Sequence, residues 1–311
     1  MAGFPVLSIF NGVNQDTGDC QTMLTLSFLY SVIYQFGDNF AYLVLAALGL
    51  AVIFGMMGVI NLAHGEFIMC GAYVTILMNK AGLPLPFAML AGTLAAAFFG
   101  GVVERLVVRH LYGRLYDSVV ATWAISLIVQ QSMLLIAGPS LEGLSTPFGS
   151  FTLGEYSFAT YRALLPFFAI AILMVLYWLF FHTNYGVCAR ATIQNARMAS
   201  CLGLETDRIY TLTFALGAGL AGLAGAIYAP TLTAVPTMGS SFIVQAFVSV
   251  VVGGANVLVG TIPAAIALGA IQTGLNSWYG QLAGQIGLLV TAVLVIRLLP
   301  NGIGSLFTRN R

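Results

Sequence analysis

The residues most able to do chemistry sit in one short run, Asn61-Leu62-Ala63-His64-Gly65-Glu66, between two apolar stretches. A carboxylate near bilayer depth is costly and normally faces a cavity or a partner. Three roles fit Glu66: a brace that caps the N-terminus of the following helix, a gate, or a direct substrate contact. His64 two residues earlier makes a proton relay conceivable. A second set of polar groups lies in a long tract, Ile209 to Ile296, that contains no Asp, Glu, Lys or Arg. There Gln245, Asn256, Gln272, Asn276 and Gln285 could hydrogen-bond a neutral solute or bond one helix to the next. Gly253 and Gly254 are placed to break a helix and expose backbone groups to a cavity. Trp123, Gln130 and Gln131 are further lining candidates, but adjacent glutamines cannot share a helix face, so at most one of those two lines a path.

A third polar feature is an island at Arg190–Gly203, with Arg190, Arg197 and Arg208 in or beside it. Helical spacing puts Ile193, Arg197 and Cys201 on one face and Asn195, Ala199 and Leu202 on another, with Gly186 and Gly203 as expected ends. A plain cytoplasmic loop would also collect arginines; the island's length and helical middle favour a docking element. No G-x-x-x-x-G-K-[ST] occurs, so the chain has no P-loop of its own. No hydrolytic triad or metal-like cluster is present. Cys20, Cys70, Cys188 and Cys201 form no C-x-x-C pair and read as small apolar packers.

The elements that position these residues follow from composition. The chain has 311 residues, of which 59% are hydrophobic and 7% charged, against about 25% charged in soluble domains. It reads as an all-α polytopic membrane protein, with 35 glycines suited to close helix packing. Eleven basic residues against ten acidic argue against a nucleic-acid partner. No Lys or Arg precedes Lys80, so the first apolar segment lacks a signal-peptide n-region and is expected to be retained.

Apolar runs predict about ten spans: 23–36, 40–61, 67–78, 87–103, 119–137, 163–181, 209–229, 240–257, 261–276 and 281–299. The loops at 104–117 and 182–208 and the tail hold three arginines each, whereas 138–162 is net acidic. Retention of basic residues inside makes the arginine-rich loops cytoplasmic. With ten spans the N-terminus is cytoplasmic too, and Glu66 falls at the cytoplasmic interface. The segment 46–60 echoes 214–228, and in this topology the two run in opposite directions, as an inverted repeat requires. The organisation expected is a first segment with one span (1–39), a four-span repeat (40–137), a connection with the sixth span and the island (138–208), and a second four-span repeat with a basic tail (209–311).

G-V-I-N-L-A-H-G-E-F-I-M-C-G-A-Y (58–73), ending at Tyr73, R-A-T-I-Q-N-A-R-M-A-S-C-L-G-L-E-T-D-R (190–208) and A-G-L-A-G-A-I-Y (221–228) resemble the branched-chain amino acid type of ABC-transporter permease. The stretches around 40–67 and 121–131 look closest to the urea permease branch. The resemblance implies a multi-pass protein of the bacterial inner membrane, a cytoplasmic ATPase dimer that holds ATP and magnesium, a second related permease and a periplasmic solute-binding protein. It implies coupling to the ATPase through Arg190, Asn195, Arg197, Met198, Ala199 and Gly203. The pathway or gate would then include Asn61, His64, Glu66, Tyr73, Trp123, Gln130, Gln245 and Asn256. The leading expectation is ATP-driven import of urea or a short-chain amide, with no enzyme activity and no cofactor in this chain. Branched-chain amino acid import is the alternative; a passive urea channel and an ion-coupled carrier using Glu66 are rivals of other classes.

Overall fold

The computed structural model describes residues 17–153, 156–254, 257–299 and 302–304; the expectation for Asn256 lies outside them. The all-α polytopic architecture is what the structure shows. Five helices, α1 (Thr17–Met57), α2 (His64–Lys80), α3 (Leu85–Leu106), α4 (Leu115–Ala137) and α5 (Thr160–His182), precede two short ones, α6 (Asn184–Gln194) and α7 (Ala196–Cys201). Four more follow: α8 (Thr206–Tyr228), α9 (Met238–Gly253), α10 (Val257–Tyr279) and α11 (Gln281–Leu298).

The two spans expected at 23–36 and 40–61 are one continuous helix, α1. The residues that suggested a loop, Gly37-Asp38-Asn39, instead meet partners on other helices. Gly37 faces the ring of Pro166, Asp38 pairs with Arg162 at 3.5 Å, and Asn39 Nδ2 donates to Thr273 Oγ1 at 2.9 Å. With those partners and no proline nearby, one glycine at about 1 kcal/mol does not stop the helix.

This fusion changes the side on which α1 starts. A hairpin of β1 (Ser150–Leu153) and β2 (Tyr156–Ala159) lies in the connection between α4 and α5 and packs on α1. Tyr34 Oη donates to the Ala159 carbonyl at 3.1 Å, and the Tyr30 and Phe158 rings stand 5.1 Å apart. The same connection pairs with the loop after α8 through Leu141 and Ala234. From Tyr34 to Met57 α1 already rises about 35 Å, enough for one crossing. Thr17 therefore lies on the hairpin side, opposite the arginine-rich end.

At that opposite end the basic loops converge on the first turns of α8. Arg109 Nη2 donates to Thr211 Oγ1 at 3.0 Å, the Tyr112 and Tyr210 rings are 5.1 Å apart, and Tyr185 Oη lies 2.7 Å from Thr213 Oγ1. Arginine counting had put these two loops on one side, and here they meet.

Helix α8 is the centre of the bundle because its small residues let three neighbours approach at backbone distance. Gly217 faces Gly49 of α1, Gly222 faces Gly71 of α2, and Gly219 faces Ala97 of α3. The echoing segments of α1 and α8 are thus in direct contact. They run antiparallel, with the Tyr42 ring beside Tyr228 and Ile53 beside Gly217.

Candidate translocation site

Helix α1 ends at Met57, and Gly58 takes a φ of 63°, a left-handed conformation open to glycine. The chain then turns back into the bundle before α2 begins. His64 Nε2 lies 3.1 Å from the Ala46 carbonyl, and Ala46 is about 16 Å down α1 from Met57 at about 1.5 Å per residue. Because a carbonyl only accepts, the imidazole proton is on Nε2. Residues 58–63 are therefore a re-entrant segment, and Glu66, 1% exposed, lies deep in the bundle rather than at the interface arginine counting gave it. Helix α9 likewise starts inside, after the loop 229–237. The two starts touch at Gly65 and Gly239, where a Cβ on Gly65 would run into the Gly239 carbonyl.

Helix α4 closes this junction with one polar stripe. Thr122 Oγ1 accepts from the Leu62 amide at 3.1 Å, Ser126 Oγ donates to Glu66 Oε1 at 2.8 Å, and Gln130 Nε2 donates to the same oxygen at 2.9 Å. The spacing of four puts all three on one helical face. Gln130 points inward and Gln131 outward, as adjacent positions must. Asn61 Oδ1 accepts from the Ala63 amide at 3.1 Å. Asn61 Nδ2, His64 Nδ1 and Glu66 Oε2 are buried without a hydrogen-bond partner among the described residues. His64 and Glu66 share no hydrogen bond there, which weighs against a relay. Tyr73 Oη donates to the Ala234 carbonyl at 3.3 Å and pins α2 to the loop before α9. Trp123 is 56% exposed on the outer face of α4, away from this junction.

Toward the hairpin side the bundle opens into a vestibule of about 390 Å³. Asp38 and Arg162 stand at one end; Leu232, Val235, Met238 and Phe242 line another part; Gln245, Gln272, Gln281 and Gln285 supply amides. Arg162 also reaches the Thr231 carbonyl at 3.5 Å. Gln245, Gln272 and Gln285, three of the amides the sequence singled out, are thus brought together. Gly254, with a φ of 83°, ends α9 where the glycine pair was expected to.

The island departs from a single helix. Asn195 is extended, with φ −159° and ψ 99°, and its side chain accepts from the Met198 amide at 3.0 Å, an N-cap that separates α6 from α7. The faces drawn across residue 195 therefore do not exist. Gly203, φ 86°, ends α7 as expected, whereas Gly186 lies inside α6 because its bare Cα permits contact with the Phe180 carbonyl. Arg190 turns inward, donating to that carbonyl and lying 5.2 Å over the Phe181 ring. Ala199 is buried against the bundle. Of the residues expected to couple, Asn195, Arg197, Met198 and Gly203 stay on the surface, with Leu202 beside them; Met198 is 59% and Leu202 78% exposed.

Sequence reasoning passed over Asp38, Arg162, Thr122, Ser126 and Glu104. The stripe had a signal, the four-residue spacing of Thr122, Ser126 and Gln130. Glu104 is fully buried at the end of α3, where Tyr112 Oη donates to it at 2.5 Å and Arg109 Nε lies 3.6 Å away. Burial, and then the bonded Glu104 carboxylate, push the Tyr112 phenol well above its ordinary pKa.

Comparison with known proteins fits this arrangement. The family described as branched-chain amino acid transport system, permease component, matches residues 33–299. The high-affinity branched-chain amino acid transport permease LivH of Salmonella typhimurium is 26% identical over 276 residues, covering 83% of this chain and 90% of LivH. BraD of Pseudomonas aeruginosa, with the same description, is 28% identical over 277 residues, 83% of this chain and 90% of BraD. The autoinducer 2 import permease LsrC of Salmonella paratyphi B is 30% identical over 195 residues, 62% of this chain and 54% of LsrC. No solved structure matches. None of these relatives points to the urea branch. The chain belongs to the family of branched-chain amino acid transport permease components.

Proposed function

We propose that the chain is the membrane-spanning subunit of an ATP-driven importer in the inner membrane, and that its cargo is a branched-chain amino acid. The observation that carries the coupling half of this reading is the exposed surface of α7. A short capped helix, fastened to the bundle by Ala199 and flanked by the inward-turned Arg190, presents Arg197, Met198 and Leu202 outward. Two apolar side chains beside an arginine, outside the spans, suit a protein partner better than water. Docked cytoplasmic ATPases, which would hold ATP and magnesium, act by binding one arrangement of the permease better than the other. Movement at α7 reaches the Gly65–Gly239 junction through α8, the helix on which α6 and the α3–α4 loop both close. A second permease subunit and an external binding protein complete the assembly.

The cargo follows the relatives: LivH and BraD are described as branched-chain amino acid permeases. A second reading, urea or a short amide, is supported by the glutamines of the vestibule, because a neutral solute needs only hydrogen bonds. Reconstitution with ATPases and binding protein into proteoliposomes separates the two. Leucine uptake that requires ATP, with no urea uptake, is the expected outcome; urea uptake without leucine uptake refutes the amino acid reading. Uptake of either solute without nucleotide would remove the ATP-driven reading as well.

A further inference from the structure

The vestibule on the hairpin side contains both signs of charge in a lining that is otherwise amide, hydroxyl and hydrocarbon. We infer that it is a recognition site for a zwitterionic α-amino acid, in which Asp38 takes the ammonium, Arg162 the carboxylate, and Leu232, Val235 and Phe242 the aliphatic side chain. This inference rests on the amino acid reading above and places its cargo at named residues.

Three observations support it. First, the Asp38–Arg162 pair is loose: its nearest atoms are 3.5 Å apart, and Arg162 reaches the Thr231 carbonyl only at 3.5 Å. A pair serving only as a brace gains from short, bidentate geometry; this one leaves donor and acceptor capacity unused. Second, Asp38 Oδ1 is buried with no hydrogen-bond partner among the described residues. An unpaired buried acceptor is destabilising, and an arriving ammonium would satisfy it. Third, the space beside the pair is large enough and mixed in character. A volume of about 390 Å³ lies in the range of small-molecule pockets, which combine apolar walls with a few placed polar groups. The charged end and the hydrocarbon part belong to one cavity, so a solute with adjacent charges and a branched tail finds a counterpart for each part. Urea would use neither the charge pair nor the apolar wall.

The test is competition for radiolabelled leucine on the complete permease–ATPase complex in lipid nanodiscs, without the binding protein. Competitors are leucine, isoamylamine, which lacks the carboxylate, 4-methylpentanoate, which lacks the ammonium, and urea. Loss of one charge should weaken competition roughly 10- to 100-fold, the equivalent of one charge-assisted hydrogen bond. Arg162→Gln should then narrow the gap between leucine and isoamylamine, and Asp38→Asn the gap between leucine and 4-methylpentanoate. That crossed pattern is one a brace cannot produce. Variants that weaken every competitor in proportion, or equal competition by all the analogues, overturn the site. Absence of saturable leucine binding in a complex that does import leucine with its binding protein also overturns it, and leaves the transport reading standing. If the full wild-type system imports no leucine, the amino acid reading itself falls and the site falls with it.

Discussion

The chain breaks its helices in two contrasting settings. The break at 58–63 lies inside the bundle, and protein groups meet the Leu62 amide through Thr122, the Ala63 amide through Asn61, and one oxygen of Glu66 through Ser126 and Gln130. The break at Asn195 lies outside, where one cap suffices and solvent serves the rest. In the first, close packing decides what each residue can be, because the backbones of α2 and α9 touch at Gly65 and Gly239. In the second, local backbone chemistry decides, and side chains such as Met198 and Leu202 are left free for another molecule. The buried break is built to be specific in shape, and the exposed one to be recognised.

Adding atoms at each break tests that contrast most severely. Gly65→Val puts a Cβ into the Gly239 carbonyl, backbone against backbone, with no flexible side chain to yield. Overpacking of this kind costs about 1–3 kcal/mol or more, and detergent-extracted protein should lose its monodisperse chromatographic peak. At Gly203 nothing lies within 4 Å of an added Cβ, so Gly203→Ala meets only the penalty of its positive φ, about 1–2 kcal/mol. It should still give folded protein with a modestly lower melting temperature. Equal tolerance of the two changes would mean that α2 and α9 do not meet as described.

Glu66 gives the next largest effect. Glu66→Leu leaves the donors of Ser126 and Gln130 without their acceptor, at about 1–3 kcal/mol for buried polar groups, and should lower both abundance and melting temperature. Glu66→Gln keeps an acceptor oxygen for them, so folding should be largely preserved. If Glu66 gates, uptake per folded complex falls in the Gln variant. If it only braces, uptake per complex stays near wild type. Paired melting and uptake measurements decide between these, and a Leu variant as stable as wild type would dismiss the bracing role of the α4 stripe.

How much of this was legible in the sequence depends on how local the cause was. The spans after Lys80, the turn glycines 254 and 203, and the polar run at 61–66 were readable because composition and backbone conformation act over a few residues. Joining of the first two spans was not, because it depends on partners far along the chain, with Pro166, Arg162 and Thr273 meeting Gly37, Asp38 and Asn39. The depth of Glu66 was missed for a related reason: loop counting assigns sides but cannot see a chain that turns back before its helix begins. Arg190 and Ala199 looked like surface residues by position; the inward turn of Arg190 and the burial of Ala199 follow from how α6 and α7 lean on α5 and the bundle.

At the exposed break the effects on stability become small, and their separation from coupling becomes the test. Asn195→Ala removes the cap of α7, worth about 1 kcal/mol, and should lower uptake partly by fraying a helix that the partner reads. Asn195→Asp restores an acceptor at the same position and should recover most of that loss. Arg197→Glu removes no intramolecular contact found among the described residues, so its stability cost should stay within about 0.5 kcal/mol, as for most surface changes. Its effect belongs to the partner: a guanidinium turned into a carboxylate repels whatever acidic group it met, while the caps and the Ala199 packing are untouched. Uptake should fall several-fold with ATP hydrolysis by the assembled complex persisting or only weakly reduced, and the melting temperature should not move. Wild-type uptake in Arg197→Glu would show that the ATPase grips this chain somewhere other than α7, and the exposed Met198 and Leu202 would then need a different partner.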